Sequence, residues 1–337
     1  MRSIPRPNCP VCGRTGRTRY ESLQDRLFGA PGEWRMVACD DAACGTLWLD
    51  PAPLPEDLAE AYKDYYTHAS DARPASGLRE RVLATFGQRM LGYPPPAKPA
   101  PLLATMARAL PRYRELAGFA RLYLPYVAGG RVLDVGCGAG NQLAQLSRAG
   151  WTAEGLDLDP QAVAAVRARG LVARCGDLLQ PDLPAAAYDA VTLVHVIEHL
   201  PEPALHLRAA LRLLQPGGRL VVITPNVRAL GHRLHGPDWR GLEPPRHLQL
   251  FTAAGLQTVL RDAGFTDVAV RSSARGGDEN LAASAAIAAA RRTGSNRSRG
   301  MRPNPVHRLL DAVARAGVMA GVDCGEELVG SARRAGG

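Results

Sequence analysis

From residue 112 onward, short apolar runs alternate with longer amphipathic runs. Apolar runs of about four to eight residues are typical of buried strands, and apolar positions that recur with the helical period are typical of helices packed on a sheet. The alternation predicts βαβ units and a mostly parallel, doubly wound α/β sheet. The predicted strands are 131–135, 152–157, 171–175, 188–194, 219–224 and 267–273, and the predicted helices are 141–149, 160–169, 203–214 and 252–263.

The end of the chain continues this pattern less regularly. Helical spacing of apolar residues covers 279–292 and 306–318, and 326–333 has the character of a strand. We therefore expect a seventh strand in the sheet, preceded by a helical insertion at about residues 279–320. The pattern leaves open whether these helices form a lid.

Prolines divide the chain before residue 112. Several prolines between Asp50 and Pro55 stop regular structure, and those at 94–101 favour an exposed polyproline II segment. Within the segment between them, a helix is expected at 56–66. The sequence predicts three units, which are a small module over 1–55, a linker with some helix over 56–111, and a main domain over 112–337.

A glycine-rich turn follows the first predicted strand. Gly136, Gly138 and Gly140 stand between that strand and the helix that begins at Asn141. A helix N-terminus presents unpaired N–H groups and a positive dipole end, and residues without Cβ allow close backbone approach, so this corner suits an anion or a nucleoside. The spacing differs from the G-x-G-x-x-G of dinucleotide folds, and Asp134 precedes the turn. A carboxylate there suits a cationic cofactor better than a pyrophosphate.

Two more carboxylates follow the next predicted strands. Asp157 ends the second strand, where it can accept hydrogen bonds from both hydroxyls of a ribose, and Asp159 is the less favoured alternative for that role. Asp177 follows the third strand, where it can accept from an adenine amino group. Because the carboxyl ends of parallel strands meet at one edge of a sheet, we expect these groups to line one nucleoside pocket. The alternative for each is a solvated carboxylate at a strand end.

These motifs together resemble those of the class I S-adenosylmethionine-dependent methyltransferases, over roughly residues 112–333. The resemblance rests on Val132-Leu133-Asp134-Val135-Gly136-Cys137-Gly138-Ala139-Gly140-Asn141, Gly155-Leu156-Asp157, Gly176-Asp177 and Leu214-Gln215-Pro216-Gly217-Gly218. It implies S-adenosylmethionine as the cofactor and a Rossmann-like, seven-stranded sheet of order 3-2-1-4-5-7-6 with the last strand antiparallel. The implied cofactor contacts are Asp134, Gly136, Gly138 and Gly140 at the methionine end, Asp157 and Leu158 at the ribose, and Asp177 and Leu178 at the adenine.

Three histidines are expected near the transferred methyl group. His195 and His199 follow the fourth predicted strand, where His195 is expected as a wall of the cofactor site and His199 as a general base. His247, in the long loop 226–250, is a second candidate base, and a base is needed only if the acceptor must lose a proton. The alternative for His199 is that Glu198-His199 caps the following helix.

The loop 226–250 is the expected site of acceptor specificity, because a long loop over a rigid sheet edge commonly carries function. Its segments 236–241 and 245–248 resemble a branch of bacterial methyltransferases that act on small molecules or glycan precursors. Trp239 in this loop either stacks on an acceptor or anchors the loop, and the sequence does not separate these two roles.

Four of the seven cysteines form two pairs near the N-terminus. Cys9 with Cys12, and Cys39 with Cys44, are each followed by a glycine. Four thiolates satisfy a tetrahedral Zn²⁺ ion and leave no position for substrate, so we expect a structural zinc that supplies much of the module's folding free energy. The module resembles the zinc ribbons that precede some sugar C-methyltransferases and some enzymes acting on ribosomal RNA.

The net charge of +9 raises the question of a nucleic-acid partner, because basic surfaces bind phosphates. The arginines are scattered and form no stripe, so nucleic acid is not the favoured partner. The N-terminus has no apolar signal region, and the longest run of low polarity, 281–290, is about half of the ~20 residues that span a bilayer. We therefore expect a soluble, cytoplasmic protein, and the oligomeric state is not predicted.

Three functions are compatible with these features. The favoured function is a methyltransferase for a small molecule, a sugar or a glycan precursor. The first alternative is an RNA methyltransferase that docks through the zinc module, and its RNA binding would weaken steeply with salt. The second alternative is a non-catalytic, cofactor-binding scaffold protein, which turnover of labelled cofactor would exclude.

Overall fold

The computed structural model describes residues 1–62, 77–95, 111–180, 182–295, 297, 298 and 300–336. The strands are β1 Ser3–Ile4, β2 Gly16–Leu23, β3 Trp34–Cys39, β4 Leu47–Leu49, β5 Ala52–Pro53, β6 Arg131–Val135, β7 Thr152–Asp157, β8 Val172–Cys175, β9 Tyr188–Val194, β10 Leu214–Pro225, β11 Gln249–Leu250, β12 Thr266–Ser273 and β13 Glu327–Arg333. The α-helices are α1 Gly77–Leu91, α2 Pro111–Phe119, α3 Asn141–Arg148, α4 Pro160–Ala168, α5 Pro203–Leu213, α6 Leu230–His235, α7 Ala253–Asp262, α8 Gly277–Arg292 and α9 Pro305–Met319. Among the described residues, no helix is both long enough and apolar enough to cross a membrane.

Seven strands form the main sheet in the order β12-β13-β10-β9-β6-β7-β8. In the numbering of the predicted strands this order is 6-7-5-4-1-2-3, so the expected Rossmann-like α/β sheet is confirmed. β13 pairs antiparallel with β10 and β12, and the other neighbouring strands are parallel. The carboxyl ends of β6, β7, β8, β9 and β10 therefore meet at one edge of the sheet.

Alternating residues of the central strands pack into two cores. Leu133 of β6 and Val222 of β10 belong to one core, which includes residues of α5 and α7. Their neighbours Val132 and Val221 belong to the other, which includes Leu146 of α3. Successive strand residues point to opposite faces, so these strands are covered on both sides. Burial on both faces explains why their sequences are nearly continuous apolar runs.

The elements predicted for the main domain are present with the predicted type and differ at their ends, whereas α2, α6 and β11 were not predicted. β10 begins earlier than predicted because Leu214 pairs with Tyr188, and a register shift separates this pair from the next one at Arg219. The helix predicted in the linker is a 3₁₀ helix, Pro55–Tyr62, and its predicted remainder lies outside the described residues. Most of the predicted polyproline segment lies outside them as well. Helices α8 and α9 occupy the segment between β12 and β13.

The N-terminal cysteine region shares a sheet with the loop after β10. Strands β2, β3 and β4 continue into β11, which comes from that loop, and Gln249 of β11 pairs with Trp48 of β4. Met36 of β3 packs in one core with Trp239 and Leu250 of the loop. The boundary expected at residue 55 stays a prediction, and the structure adds that the loop and the N-terminal segment are built on a common core.

A buried ion cluster joins the same two parts of the chain. Arg246 has no exposed surface, and its Nη2 lies 2.9 Å from Oδ2 of Asp25 while its Nε lies 2.8 Å from Oε1 of Glu243. Its Nη1 donates to the carbonyl of Ala61 at 2.8 Å. A buried ion pair offsets its desolvation only when several partners are well placed. This cluster holds the loop after β10 against the N-terminal segment.

Candidate cofactor and active site

The glycine turn between β6 and α3 has a backbone conformation that residues other than glycine rarely adopt. The φ angles of Gly136 and Gly140 are 65° and 74°, in the left-handed region that favours glycine. A Cβ on Gly136 would lie 2.5 Å from Cγ2 of Val196, and a Cβ on Gly140 would lie 2.9 Å from Cγ2 of Val166. The turn therefore packs closely against the residues that follow β9 and against α4, and its glycines are required by both conformation and space.

Asp157 lies at the end of β7 and bonds to the glycine turn. Its Oδ2 accepts from the backbone N–H of Gly138 at 2.8 Å, and its Oδ1 accepts from the N–H of Asp159 at 2.9 Å. Asp159 itself caps α4 by accepting from the N–H of Gln161 at 2.8 Å. Capping accounts for Asp159, whereas Asp157 is held at the mouth of the turn, where the sequence predicts a ribose contact.

Asp134, in β6, is buried with 2% of its surface exposed. Burial raises the pKa of its carboxyl to about 7, although the hydroxyl of Thr192 donates to Oδ1 at 2.7 Å and lowers that pKa in part. The negative charge of Asp157 raises the pKa further. A cation near Asp134 would favour its ionised form, as expected for a residue at the methionine end of the cofactor.

Asp177 follows β8 and forms a hydrogen bond with His206 of α5. It accepts from the N–H of Leu179 at 2.8 Å and lies 3.3 Å from Nε2 of His206, whose hydrogen bond lowers the pKa of the carboxyl. Burial lowers the pKa of His206, but the bond to Asp177 outweighs it and raises that pKa. Of the two leucines expected beside the cofactor, Leu178 is buried in the main core and Leu158 is 67% exposed at the sheet edge.

His195 lies directly after β9 and is surrounded by carboxylates. Its Nε2 lies 3.0 Å from Oε1 of Glu327 and its Nδ1 lies 3.4 Å from Oε1 of Glu198, while 39% of the side chain is exposed. Burial lowers the pKa of His195, but the two carboxylates outweigh burial and raise it to about 9. The raised pKa favours the protonated ring at neutral pH, although Nη2 of Arg275 also lies 3.3 Å from Nε2.

The two candidate bases, His199 and His247, lie together, with ring centroids 4.8 Å apart. Nδ1 of His199 lies 3.0 Å from both the carbonyl oxygen of Arg246 and the hydroxyl of Tyr62. Nδ1 of His247 lies 2.7 Å from the carbonyl oxygen of Gly241. Burial lowers the pKa of both rings, so both are neutral at pH 7. The sequence predicts each histidine separately and gives no sign of their contact.

The side chain of Glu198 lies beside these two histidines. Glu198, His199 and His247 each have one potential metal-ligand atom, and these three atoms all lie within 4.8 Å of one another. The sequence offers Glu198 only as a helix cap, but its side chain is buried and its Oε2 accepts from the hydroxyl of Thr224 at 2.9 Å. The adjacent Glu198 and His199 in a short turn are a sequence signal that could have indicated this cluster. The sequence gives no sign that His247, from a distant loop, lies beside them.

Trp239 anchors the loop after β10. The indole is 2% exposed and donates from Nε1 to Oε2 of Glu326 at 3.0 Å. It also stacks on His232, with ring centroids 4.6 Å apart. Of the two roles that the sequence leaves open, the structure favours anchoring, because burial and the hydrogen bond to Glu326 both tie the ring to the protein.

The four N-terminal cysteines converge. Sγ of Cys9 lies 3.7 Å from Sγ of Cys44, and Sγ of Cys12 lies 3.4 Å from Sγ of Cys39. All four sulfurs lie within 4.8 Å of one another. In a tetrahedral site with Zn–S bonds of about 2.3 Å, the sulfurs are about 3.8 Å apart. The arrangement fits a zinc ion with four thiolate ligands.

Comparison with known proteins relates the whole arrangement to one family. The family model described as "Methyltransferase domain" matches residues 79–270. "Ubiquinone biosynthesis O-methyltransferase" of Xanthomonas oryzae pv. oryzae is 38% identical over 109 residues, which are 30% of this chain and 45% of that protein. The chain thus spans less than half the length of this relative. A Mycolicibacterium smegmatis protein named "Probable S-adenosylmethionine-dependent methyltransferase" is 34% identical over 184 residues, 52% of this chain and 70% of that protein.

Two solved structures are among the structural matches. A SAM dependent methyltransferase from Archaeoglobus fulgidus has 20% sequence identity and a TM-score of 0.45, and the match covers 69% of this chain and 98% of that chain. A S-adenosylmethionine dependent methyltransferase from Mesorhizobium loti has 21% identity and a TM-score of 0.44, with 65% and 97% covered. The family match includes the glycine turn and all three carboxylates at the sheet edge, and it spans more than half of the chain. The chain therefore belongs to the methyltransferase domain family.

Proposed function

We propose that this chain binds S-adenosylmethionine and transfers its methyl group to a small molecule, a sugar or a glycan precursor. The observation that carries the proposal is the row of carboxylates at one sheet edge, with Asp134 in β6, Asp157 at the end of β7 and Asp177 after β8. Open α/β sheets bind their ligands at this edge. Membership of the methyltransferase domain family supports the type of reaction.

The glycine turn and Asp157 support a nucleoside ligand. The carboxylate of Asp157 is already oriented by the N–H groups of Gly138 and Asp159, so little ordering is needed when ribose hydroxyls donate to it. The N-terminus of α3 follows the turn and presents N–H groups to the same place. The proposed contacts are Asp134, Gly136, Gly138 and Gly140 at the methionine end, Asp157 and Leu158 at the ribose, and Asp177 and Leu178 at the adenine.

A basic cavity supports the acceptor class. The cavity has a volume of about 370 Å³ and is lined by residues of the N-terminal sheet and of the segment after β10, among them Arg19, Arg228 and Arg233. The segment after β10 starts at the same sheet edge as the cofactor residues. Guanidinium groups recognise phosphate, which glycan precursors commonly carry. The similarity to a ubiquinone O-methyltransferase supports a small-molecule acceptor in the same way.

The chain's own residues align the reactants and exclude water. The bound cofactor supplies the methyl group on a sulfonium, which is already a good leaving group, so positioning provides most of the rate. A base is needed only for an acceptor that loses a proton. His199 and His247 are the proposed candidates, and in each ring Nε2 is the nitrogen that can accept a proton. His195, held by Glu198 and Glu327, is proposed as a wall of the cofactor site.

The cysteine cluster is proposed to bind a structural Zn²⁺ ion. Cys9, Cys12, Cys39 and Cys44 would occupy all four positions of a tetrahedral site, which leaves none for a substrate. Because β11 extends the sheet of this segment, the ion would also stabilise the loop after β10.

Methyl-labelled S-adenosylmethionine tests the proposal. A lysate incubated with the purified chain and the labelled cofactor is fractionated into RNA, protein, lipid and small molecules, and we expect label among small molecules or glycan precursors. Asp157→Asn removes a charged acceptor and should abolish labelling, whereas Asp182→Asn, at an exposed position, should leave it unchanged. Label in RNA alone, or in no fraction, contradicts the proposal.

A further inference from the structure

A carboxylate and two imidazoles converge beside the end of β9. Glu198, His199 and His247 each offer one ligand atom, and these atoms lie within 4.8 Å of one another. Glu198 has no exposed surface and His247 is 4% exposed. A buried carboxylate needs a cation or a metal ion beside it, and His195, 3.4 Å from Oε1, is one such partner of Glu198. The cluster is separate from the four cysteines.

Hydrogen bonds fix the protonation of both imidazoles. Nδ1 of His199 faces the carbonyl oxygen of Arg246, and Nδ1 of His247 faces the carbonyl oxygen of Gly241. A carbonyl oxygen only accepts, so Nδ1 carries the proton in both rings and Nε2 keeps its lone pair. A backbone carbonyl that accepts from the far nitrogen is the arrangement found around metal-binding histidines. Nε2 is therefore the nitrogen of each ring with a lone pair available to a metal ion, and that of His247 also lies 3.9 Å from Oε2 of Glu243.

The carboxylate of Glu198 has one oxygen that lacks a hydrogen bond. Oε2 accepts from the hydroxyl of Thr224, but Oε1 is buried and has no hydrogen-bond partner among the described residues. Nδ1 of His195 lies 3.4 Å from Oε1 as an ion-pair partner, but the contact does not meet hydrogen-bond geometry. A bound metal ion would give this buried oxygen the direct partner that hydrogen bonding does not. This oxygen supplies the third ligand.

Hydrogen bonds already hold the ligand-bearing segments together. The N–H of Leu248, next to His247, donates to the carbonyl of Glu198 at 2.8 Å. The side-chain amide of Gln249 donates to the carbonyl of Ile197 at 2.9 Å. The turn after β9 and the loop after β10 therefore present their ligands to each other before any ion binds, which lowers the ordering cost of binding.

We propose that Oε1 of Glu198 and the Nε2 atoms of His199 and His247 bind one divalent transition-metal ion of the Zn²⁺ class. Two imidazoles and one carboxylate suit Zn²⁺ and its neighbours, whereas Mg²⁺ and Ca²⁺ prefer oxygen ligands. Bonds of about 2.0–2.2 Å place the ligand atoms ~3.4 Å apart, so small side-chain rotations close the site.

Three protein ligands leave a fourth position for a water or an acceptor oxygen, as in catalytic zinc sites. In this arrangement the Nε2 lone pairs are ligands and do not act as bases, and the ion takes over that role by lowering the pKa of the oxygen that it binds. Use of the fourth position by an acceptor rests on the proposed methyltransferase function. Binding of the ion does not, so a metal measurement and a methyl-transfer measurement can fail independently.

Cobalt substitution of the full chain tests the site. The purified protein is stripped with a chelator, titrated with Co²⁺ and analysed for bound metal, and we expect two ions per chain. Thiolate ligands give Co²⁺ an intense charge-transfer absorption in the near ultraviolet, which should accompany the ion at the cysteines. The second ion should add visible absorption without that band, because its ligands are nitrogen and oxygen.

Glu198→Gln and His247→Gln are expected to lose the second ion and to keep the thiolate band. His232→Gln is the matched control, since His232 is a buried histidine of the same loop whose Nδ1 also bonds a backbone carbonyl. It should keep both ions. One ion per chain in the wild type, or two ions in both cluster variants, overturns the proposal. If circular dichroism shows that a variant is unfolded, the proposal is judged on the wild-type protein alone, by its number of bound Co²⁺ ions and its absorption spectrum.

Discussion

Burial sets the protonation of Asp134, the carboxylate beside the glycine turn. Its pKa rises from 3.8 to about 7, and the hydrogen bond from Thr192 offsets only part of this change. Because the folded-state pKa lies above the unfolded value, the stability that Asp134 contributes is present in full below about pH 4 and is lost as the pH rises through about 7. A cationic ligand favours the ionised carboxylate and therefore binds best above that pH.

Cofactor binding is expected to strengthen as the pH rises through about 7. The ionised fraction of Asp134 is roughly a tenth at pH 6 and about nine tenths at pH 8, so calorimetry should give a Kd roughly tenfold lower at pH 8. Asp134→Asn, which cannot ionise, should give a Kd with little dependence on pH. A wild-type Kd that is the same at both pH values would show that Asp134 does not face the cationic part of the ligand.

Gly136→Ala tests the fit of the glycine turn. A Cβ at this position would lie 2.5 Å from Cγ2 of Val196, which is a clash. The alanine would also have to keep the positive φ of Gly136. Gly170→Ala is the matched control, because Gly170 has φ +73° and no atom within 4 Å of the added Cβ. Left-handed strain costs about 1 kcal/mol at both positions, and only Gly136→Ala adds the clash. Urea unfolding should show the larger loss for Gly136→Ala, together with weaker cofactor binding, and equal losses would argue against the packing described.

The sequence predicts the positions of single side chains better than their partners. Asp157 and Asp177 follow strands whose order is predictable, so their place at one sheet edge is predictable too. His206, which bonds Asp177, lies within α5 and has no local feature that marks it. The contact of Glu198 with His247 joins a turn to a distant loop, and a single sequence does not record such a pair.

A strand of two residues connects the loop after β10 to the N-terminal sheet. Gln249 and Leu250 have no run of alternating residues by which a strand could be recognised. They are extended because they pair with β4, whose position in the chain is remote. Tertiary contact forms this element, and local propensity does not. The unit boundary predicted at residue 55 from the prolines does not account for the pairing of β11 with β4.

Arg246→Met tests the ion cluster that joins these elements. Removal of the guanidinium takes an ion-pair partner from each of the buried carboxylates Asp25 and Glu243, although Arg240 still pairs with Glu243, and breaking a buried ion pair typically costs about 3–5 kcal/mol. Arg17→Met is the control, because the side chain of Arg17 is 88% exposed and pairs with Asp40 at the surface. The control should lose less than about 1 kcal/mol in the free energy of unfolding. Similar losses in denaturant titrations would contradict the role given to Arg246.

Cys9→Ser tests the coupling between the metal module and the loop. The variant should bind one metal ion fewer per chain and should be cut more rapidly by protease within 226–250, because β11 depends on the sheet that the ion stabilises. Cys175→Ser, at an exposed cysteine outside the cluster, should match the wild type in both assays. Unchanged metal content in Cys9→Ser would exclude the four-cysteine site.

At the scale of the whole molecule, the order of the main sheet is the one that the resemblance to the class I methyltransferases implies. Right-handed crossovers between parallel strands joined by helices are compatible with that order. Apolar runs mark β6, β7, β9 and β10 because these strands are covered on both faces. The apolar runs therefore predict the strands and the resemblance implies their order, while the loop and N-terminal sheet depend on contacts between remote segments.

Calorimetric titration of the full, folded chain with S-adenosylmethionine, and with its demethylated product S-adenosylhomocysteine, tests the central claim most directly. We predict that each ligand binds at one site per chain at pH 8, and that Asp157→Asn weakens both interactions because the ribose loses its charged acceptor. Absence of binding heat for both ligands, across temperatures and with folding confirmed by circular dichroism, would contradict the account.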